Sequence, residues 1–276
     1  MNNMTVRILV GLAGIPAIIG LVLLGGRVFG VATFVLAVGG LLEFYALARA
    51  KGARPEAAAG IAAAAAMYAP VLLPAAAEYL PVILGLITLF VVGARMRRPG
   101  GSAIADVSAT IAGAAYFPFL FLFLPMLYNL GGANIGGVEG GRLLVLSLFV
   151  SVWMCDIAAY FAGKFLGRRK LFERVSPKKT WEGAAAGFVG AAAGFTLTGM
   201  ATTPDVPAGH LLALGGLTGI FGQIGDLAES LLKRDAGVKD SSGVLPGHGG
   251  VLDRFDSMTF AAPVAYCYTV FVLLRP

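Results

Sequence analysis

Long apolar stretches alternate with short polar segments along the whole chain. Nine of them approach the length that crosses a bilayer, about 20 apolar residues rising 1.5 Å each over roughly 30 Å of hydrocarbon. The pattern predicts an all-α bundle of about nine transmembrane helices. The stretches run approximately over residues 6–24, 28–48, 57–75, 79–94, 107–129, 143–163, 183–203, 209–232 and 257–275.

The composition supports a membrane protein and excludes two other classes. Of the 276 residues, 58% are hydrophobic and 13% are charged, which is too apolar for a soluble protein whose surface must meet water. The net charge of +6 does not indicate a nucleic-acid binder, because the basic residues are scattered over connecting segments. Cys155 and Cys267 lie in apolar stretches, which favours free thiols over a disulfide.

Lysine and arginine are divided unevenly between the two sets of connecting segments. With a cytoplasmic N-terminus, 18 of the 21 fall on the cytoplasmic side and three on the outer side. Because basic residues favour the cytoplasmic side, the division predicts that N-terminus and cytoplasmic segments at 164–182 and 233–256. We expect an N-terminal region of about five spans over residues 1–130. Residues 131–276 form a C-terminal region that carries both polar segments.

Acidic residues are concentrated near the end of the chain. Asp253 and Asp256 are three residues apart, so on a helix they share a face, with Cβ atoms about 5–6 Å apart. Two close carboxylates suit a hard cation such as Mg²⁺, although acids at a solvated helix start are also favoured by the helix dipole. Asp226 lies well inside the eighth stretch, on the same face as Glu229. A third acid from another helix favours a metal site made of Asp226, Asp253 and Asp256.

The segment Leu245–Gly250 reads LPGHGG and predicts a tight turn. Its glycines let backbone N–H groups approach an anion, and His248 could donate to phosphate or act as acid or base. The alternative is an ordinary re-entrant turn with a structural histidine. Lys233, Arg234 and Lys239 precede the turn and fit either a polyphosphate pocket or the basic flank of a membrane helix.

A second polar segment runs from Lys164 to Glu182. Ser176-Pro177 resembles an N-cap followed by proline, which predicts a helix start with Lys178, Lys179 and Thr180 in its first turn. Such a start binds phosphate through its free N–H groups, and the alternative is a generic basic loop at an anionic membrane surface.

Two further polar islands lie inside apolar stretches. Asp156 and Tyr160 are four residues apart in the sixth stretch and share a helix face. Glu43 and Tyr45 form a smaller island in the second stretch, where they could reach the interface or make a helix–helix contact.

The run Ser230–Asp256 resembles the signature of phosphatidate cytidylyltransferases, also called CDP-diacylglycerol synthases. The elements Asp156-x-x-Ala-Tyr, Ser176-Pro-Lys-Lys-Thr-x-Glu-Gly and Gly222-Gln-x-Gly-Asp226 also resemble the family, in the same order. The resemblance is strong over the C-terminal half. The N-terminal half resembles the family only in having several plain apolar spans with an acid and an aromatic residue at Glu43 and Tyr45. Within the signature, the matching positions are Ser230, Lys233-Arg234, Lys239-Asp240, Pro246 to Gly250 and Asp253-Arg254-Phe255-Asp256.

The resemblance implies a reaction in which CTP and phosphatidate give CDP-diacylglycerol and pyrophosphate. It implies one or two Mg²⁺ ions bound by Asp226, Asp253 and Asp256, and a catalytic role for these residues and His248. It also implies a homodimer in the cell membrane, in contact with membrane lipids, with the site facing the cytoplasm. The substrates would be bound by Asp156, Ser176, Lys178, Lys179, Thr180, Lys233, Arg234, Lys239, Asp240, Gly247, Gly249, Gly250 and Arg254.

Two other functions are compatible with acids inside membrane spans. An ion-coupled transporter would use them at the bilayer midplane, but the sequence has no internal repeat, and its polar signals lie at one membrane face. A CTP-dependent lipid kinase would transfer the γ-phosphoryl group instead of the cytidylyl group. The product of the reaction distinguishes these alternatives.

Overall fold

The computed structural model describes residues 3–97, 100–131, 135, 137, 139–244 and 249–275, so the predicted site residues Gly247 and His248 lie outside the described residues. A 3₁₀-helix, Pro74–Tyr79, precedes the fourth α-helix, and a π-helical turn, Thr269–Leu273, follows the last. The α-helices within the described residues are α1 (Asn3–Leu24), α2 (Gly26–Ala50), α3 (Ala57–Leu72), α4 (Leu80–Met96), α5 (Ala103–Tyr128), α6 (Gly140–Phe165), α7 (Trp181–Thr202), α8 (Ala208–Asp235) and α9 (Leu252–Tyr268).

Each of these helices coincides with one predicted apolar stretch. The chain is a mainly helical, multi-pass membrane protein. The Ala13–Leu24 part of α1 and the helix α3 (Ala57–Leu72) are apolar but shorter than a full span. Within the described residues, seven helices are long and apolar enough to cross a membrane, namely Gly26–Ala50, Pro74–Met96, Ala103–Tyr128, Gly140–Phe165, Trp181–Thr202, Ala208–Asp235 and Leu252–Leu273.

A short β-hairpin interrupts the helical pattern and corrects the predicted start of the seventh helix. Strands β1 (Lys170–Phe172) and β2 (Ser176–Thr180) pair antiparallel, whereas the sequence predicts a helix beginning at Ser176. Pro177 is tolerated in β2 because both strands of a two-stranded hairpin are edge strands, where a missing N–H need not break the ladder. Lys178 and Lys179 therefore lie on a strand ahead of the helix, and the prediction that they occupy its first turn is wrong.

The cap of the seventh helix is Thr180. Its backbone is extended, with φ -128° and ψ 156°, and its hydroxyl accepts a hydrogen bond from the N–H of Gly183 at 3.1 Å. An extended residue whose side chain accepts from the third helical N–H is a favourable N-cap. Glu182, in the first turn, accepts from the backbone N–H of Arg168 at 3.1 Å. The start of α7 is thus tied to the residues that precede the hairpin.

The chain divides into two compact units, each built from two segments. Unit 1 comprises Met1–Pro125 and Leu232–Arg254, and unit 2 comprises Met126–Leu231 and Phe255–Pro276. Unit 1 therefore contains α1 to α4, most of α5 and the polar segment after α8. Unit 2 contains α6, the hairpin, α7 and most of α8 and α9.

Packing in unit 1 is centred on Tyr45 of α2. The side chain is fully buried, and its hydroxyl donates to the carbonyl oxygen of Thr110 on α5 at 2.8 Å. Gly60 of α3 and Gly113 of α5 press against it, since an added Cβ would lie 1.9 Å and 2.3 Å from atoms of the Tyr45 side chain. Tyr45 therefore makes a helix–helix contact, one of the two roles that the sequence leaves open for it.

In unit 2, α6 and α7 approach closely along a row of glycines on α7. A Cβ at Gly183 would lie 2.9 Å from the carbonyl oxygen of Ala159, and one at Gly190 would lie 2.7 Å from that of Met154. Small residues allow such close approach, which is a common basis of helix packing in bilayers. The contact fixes the segment of α6 that carries Asp156.

Candidate active site

Unit 2 contains a cavity of about 540 Å³ bordered by α6, the hairpin, α7 and α8. Several predicted site residues line it together, although they come from three separate segments of the chain. Ser176 lies on the same strand as three of them but is not a lining residue. The polar lining residues are Asp156, Tyr160 and Lys164 of α6, Lys178, Lys179 and Thr180 of β2, and Gln223 and Asp226 of α8.

The closest polar contact at this cavity joins β2 to α8. Lys179 Nζ lies 2.5 Å from Asp226 Oδ2, and the two side chains are 27% and 31% exposed. The two side chains are thus partly accessible, although the Lys179 Nζ atom itself is shielded from solvent. The cavity therefore holds an acid and a base in direct contact, with Lys164 and Lys178 as further cations in its lining.

Three further carboxylates gather around Asp226 of this pair. Asp256 of α9 experiences the negative charges of Asp226, Glu229 and Asp156. The side chain of Glu229 is fully buried. Carboxylates this close repel one another unless cations lie among them. Unit 2 thus contains a concentration of negative charge that Lys179 offsets in part.

The approach of α9 to α8 in unit 2 depends on a glycine next to Asp226. A Cβ at Gly225 would lie 2.5 Å from the carbonyl oxygen of Asp256 and 3.1 Å from the ring of Phe260. A larger residue would push α9 away, and the two aspartates would separate. The Gly222-Gln-x-Gly-Asp226 element therefore combines a packing surface with an acid that lines the cavity.

Asp253, the remaining predicted metal ligand, belongs to unit 1 and is held by protein donors. Lys233 Nζ lies 2.5 Å from its Oδ1, and the two side chains are 10% and 5% exposed. Its Oδ2 accepts from the N–H groups of Ser241 and Gly250, each at 2.8 Å. Gly249 has φ +79° and leaves no room for a side chain, because a Cβ would lie 2.6 Å from Asp253 Oδ2. Asp253 therefore organises the turn that precedes α9.

Glu43 of α2 is the second acid that organises this turn. It is buried and accepts four hydrogen bonds, from the hydroxyls of Ser241 and Ser242 and from the N–H groups of Val251 and Leu252. The sequence leaves Glu43 as a membrane-interface or helix–helix residue, and the structure places it against the signature segment instead.

The other polar residues of the signature lie at the surface. Arg234 donates to the carbonyl oxygen of Val238 at 2.9 Å, just beyond the end of α8. Lys239, Asp240 and Arg254 have exposed side chains. These charges are accessible to a ligand, in contrast to Lys233, which is buried against Asp253.

The donor chemistry of the unit 2 acids fits a divalent cation, because hard carboxylate oxygens are the ligands that Mg²⁺ prefers. Within the part of the chain that the structure describes, no group of three or more His, Cys, Asp or Glu side chains is arranged to hold one ion. Lys179 contacts Asp226 Oδ2 at the distance given above, so a metal ion there would bind Oδ1 or displace Lys179 from Oδ2.

Comparison with known proteins identifies the family. Residues 5–272 match the model of the cytidylyltransferase family. The chain belongs to this family. The match includes both units and every predicted site residue, which agrees with the resemblance of the polar segments.

Three similar proteins bear the same name. A protein of Synechocystis sp. named phosphatidate cytidylyltransferase is 34% identical over 297 aligned residues, covering 98% of this chain and 97% of the relative. The protein of that name in Bacillus subtilis is 46% identical over 126 residues, 46% of this chain and 47% of the relative. That of Pseudomonas aeruginosa is 48% identical over 122 residues, 44% of this chain and 45% of the relative.

The predicted site residues omit Tyr160, Lys164 and Gln223, which line the cavity, and Glu43, which contacts the start of α9. Gln223 lines the cavity, and its amide donates to the carbonyl oxygens of Ala184 and Gly219 at 3.2 Å and 2.8 Å. Lys164 also lines the cavity, and Glu43 holds the turn before α9. Glu43 and Gln223 could be recognised in the sequence as a single acid and a single amide inside apolar spans. Burying a polar group there costs free energy, so such a residue usually has a binding or structural role.

Proposed function

We propose that this chain transfers the cytidylyl group of CTP to phosphatidate, giving CDP-diacylglycerol and pyrophosphate. The observation that carries this proposal is the unit 2 cavity, where Lys164, Lys178 and Lys179 lie together with Asp156 and Asp226. Cations and acids in one cavity of a multi-pass membrane protein suit a reaction between a nucleoside triphosphate and an anionic lipid.

The reaction is a substitution at phosphorus. A phosphate oxygen of phosphatidate forms a bond to the α-phosphorus of CTP, and the bond from that phosphorus to the bridging oxygen of the β-phosphate breaks. Pyrophosphate leaves with the electron pair of that bond. The attacking oxygen is already anionic, so the site needs positioning and charge neutralisation more than a strong base.

Lysines of the cavity supply part of this neutralisation. Lys178 is exposed on β2, and Lys179 is partly exposed beside Asp226. Charge-assisted hydrogen bonds from their ammonium groups would hold a phosphate of either substrate. The exposed side chains of Arg234, Lys239 and Arg254 are available to the CTP phosphates, with the glycine turn.

Mg²⁺ is part of the proposal, as one or two ions. Asp226 and Asp256 of unit 2 would hold it, and it would supply positive charge that stabilises the oxygens around phosphorus. A metal-binding role of Asp253 stays a prediction from the sequence. The roles of His248 and Gly247 stay predictions from the signature. Ser176 and Asp240 stay predictions too, with exposed or partly exposed side chains.

The topology is proposed from the distribution of basic residues. Nine crossings with a cytoplasmic N-terminus place 18 of the 21 Lys and Arg residues inside. The cavity then faces the cytoplasm of a cell membrane, where CTP is available. A homodimer is included on the family resemblance alone.

CTP labelled at either the α- or the γ-phosphorus tests the reaction. Purified protein in mixed micelles with phosphatidate and Mg²⁺ should move the α-label into lipid and the γ-label into pyrophosphate. A γ-label that enters lipid would indicate a CTP-dependent lipid kinase. A lack of both products would remove the proposed activity and leave the transporter as the next hypothesis.

A further inference from the structure

Glu43 links the second helix to the signature segment by four hydrogen bonds to one carboxylate. Oε1 accepts from the Ser242 hydroxyl at 2.6 Å and from the N–H of Val251 at 2.9 Å. Oε2 accepts from the Ser241 hydroxyl and from the N–H of Leu252, both at 2.8 Å. All of these residues belong to unit 1. The carboxylate thus gathers a segment made of residues 241–244 and 249–252.

The two backbone donors explain why an acid is stable at this buried position. α9 begins at Leu252, and the first N–H groups of a helix have no partner within the helix. A carboxylate at a helix N-terminus also interacts favourably with the positive end of the helix dipole. Glu43 therefore acts as a cap for α9 although it is 209 residues away from Leu252 in the chain.

Ser241 connects Glu43 to Asp253. Its hydroxyl lies 2.8 Å from Glu43 Oε2 and 2.7 Å from Asp253 Oδ2. Since a hydroxyl has one proton, it donates to one carboxylate at a time. The space beside these two side chains admits only a glycine at position 250, because an added Cβ at Gly250 would lie 2.3 Å from Glu43 Oε2 and 2.2 Å from Ser241 Oγ. The orientation of Asp253 therefore depends on where Glu43 holds this segment.

We propose that Glu43 is a positioning residue for the proposed reaction, acting through residues 241–244 and 249–252 and through Asp253. It is not a catalytic residue, because its carboxylate is engaged by the four donors named above and is buried. Only the predicted effect of Glu43 on turnover rests on the proposed function. Its effect on the order of the segment is independent of the reaction.

Glu43→Gln tests the proposal with little change in shape. The amide retains one acceptor oxygen and places an NH₂ group where the other oxygen meets one hydroxyl and one backbone N–H. That N–H loses its acceptor, and the hydroxyl must turn to accept instead of donate. Glu78→Gln is the matched control, since Glu78 is exposed in the 3₁₀-helix of the same unit. A spin label on Val244→Cys, a position 68% exposed, reports segment mobility once Cys155 and Cys267 are replaced.

In Glu43→Gln we expect the spin-label spectrum to sharpen, because the segment becomes mobile, while Glu78→Gln keeps the parent spectrum. We expect kcat to fall about tenfold or more, as loss of hydrogen bonds to a charged group does, with KM for phosphatidate changed by less than about threefold. An unchanged spectrum in Glu43→Gln would overturn the proposal whatever the activity. An inactive parent enzyme would contradict the proposed function, and the spectrum would still decide the role of Glu43.

If Glu43→Gln does not accumulate in the membrane, Ser241→Ala replaces it in both measurements. This variant keeps the Glu43 carboxylate and removes the hydroxyl that contacts both acids. A sharper spectrum with lower kcat would support the connection between them. A parent-like spectrum and kcat would overturn it.

Discussion

Two aspartates of the signature elements are each in contact with a lysine, but their surroundings differ. The Lys233–Asp253 pair of unit 1 is 10% and 5% exposed, whereas the Lys179–Asp226 pair of unit 2 is 27% and 31% exposed. A buried pair is difficult to open because each charge would lose its partner without gaining water. The side chains of the pair at the cavity are more exposed, so we expect this pair to open at lower cost. From this contrast we expect Lys233 to contribute to stability and Lys179 to contact a ligand.

Lys233→Ala should therefore destabilise the protein, whereas Arg234→Ala should not. Removing one partner of a buried ion pair costs about 3–5 kcal/mol, and Arg234 is exposed. Thermal unfolding of the two variants in the same detergent measures the difference. Equal midpoints for Lys233→Ala and Arg234→Ala would show that Asp253 does not depend on Lys233.

Gly250→Ala should lower turnover about tenfold or more, because the added methyl group displaces Glu43 or Ser241 from hydrogen bonds to charged groups. The Cβ would lie within 2.3 Å of both side chains. Gly243→Ala is the control, since a Cβ there meets nothing within 4 Å. Initial rates at saturating CTP and phosphatidate measure both variants. Comparable rates in the two would contradict the packing around Glu43.

At the scale of elements, the hairpin sets the position of the cavity lysines. Lys170 pairs with Thr180 across the two strands, and the next residue, Trp181, begins α7. Trp181 also donates its N–H to the carbonyl oxygen of Arg169 at 3.0 Å. Lys178 and Lys179 are therefore presented by a short strand that is fixed at its C-terminal end by the helix cap.

Thr180→Val should destabilise this junction by about 1 kcal/mol, the usual cost of losing an N-cap acceptor. Thr180→Ser keeps the hydroxyl that accepts from Gly183 and should retain most of the parent stability. Thermal unfolding of the two variants provides the comparison. A valine variant as stable as the serine variant would show that the cap contributes nothing measurable.

The helices could be predicted from the sequence because length and hydropathy are local properties of a membrane span. The start of α7 could not, since Ser176-Pro177 is also a good local helix signal, and pairing of Phe172 with Ser176 decides in favour of a strand. For the site, the predicted residues Asp156, Lys179 and Asp226 line one cavity. The partners of Glu43 lie 198 to 209 residues away, a distance at which sequence periodicity carries no information.

At the scale of the whole molecule, orientation decides which substrates can reach the cavity. The charge distribution predicts that the hairpin lies in the cytoplasm and that the connection between α7 and α8 lies outside. Both contain exposed positions, Glu173 in the hairpin turn and Asp205 between the two helices.

Asp205→Cys should react with an impermeant thiol reagent on intact cells, and Glu173→Cys should react only after permeabilisation. Both variants need a background in which Cys155 and Cys267 are replaced. The extent of labelling on the two sides measures the topology. Labelling of Glu173→Cys from outside would reverse the orientation and separate the cavity from cytoplasmic CTP.

The most direct test of the cavity as the catalytic centre is turnover of α-labelled CTP by Asp226→Asn. Asp235→Asn is the control on the same helix, since its carboxylate makes an exposed contact with Lys51, with side chains 65% and 53% exposed. We expect the parent and Asp235→Asn to transfer the label to phosphatidate in the presence of Mg²⁺. Asp226→Asn should lower the rate about a hundredfold or more, because a charge that acts on the transferring phosphorus is lost. A rate in Asp226→Asn within about threefold of the parent would contradict the assignment of this cavity to cytidylyl transfer.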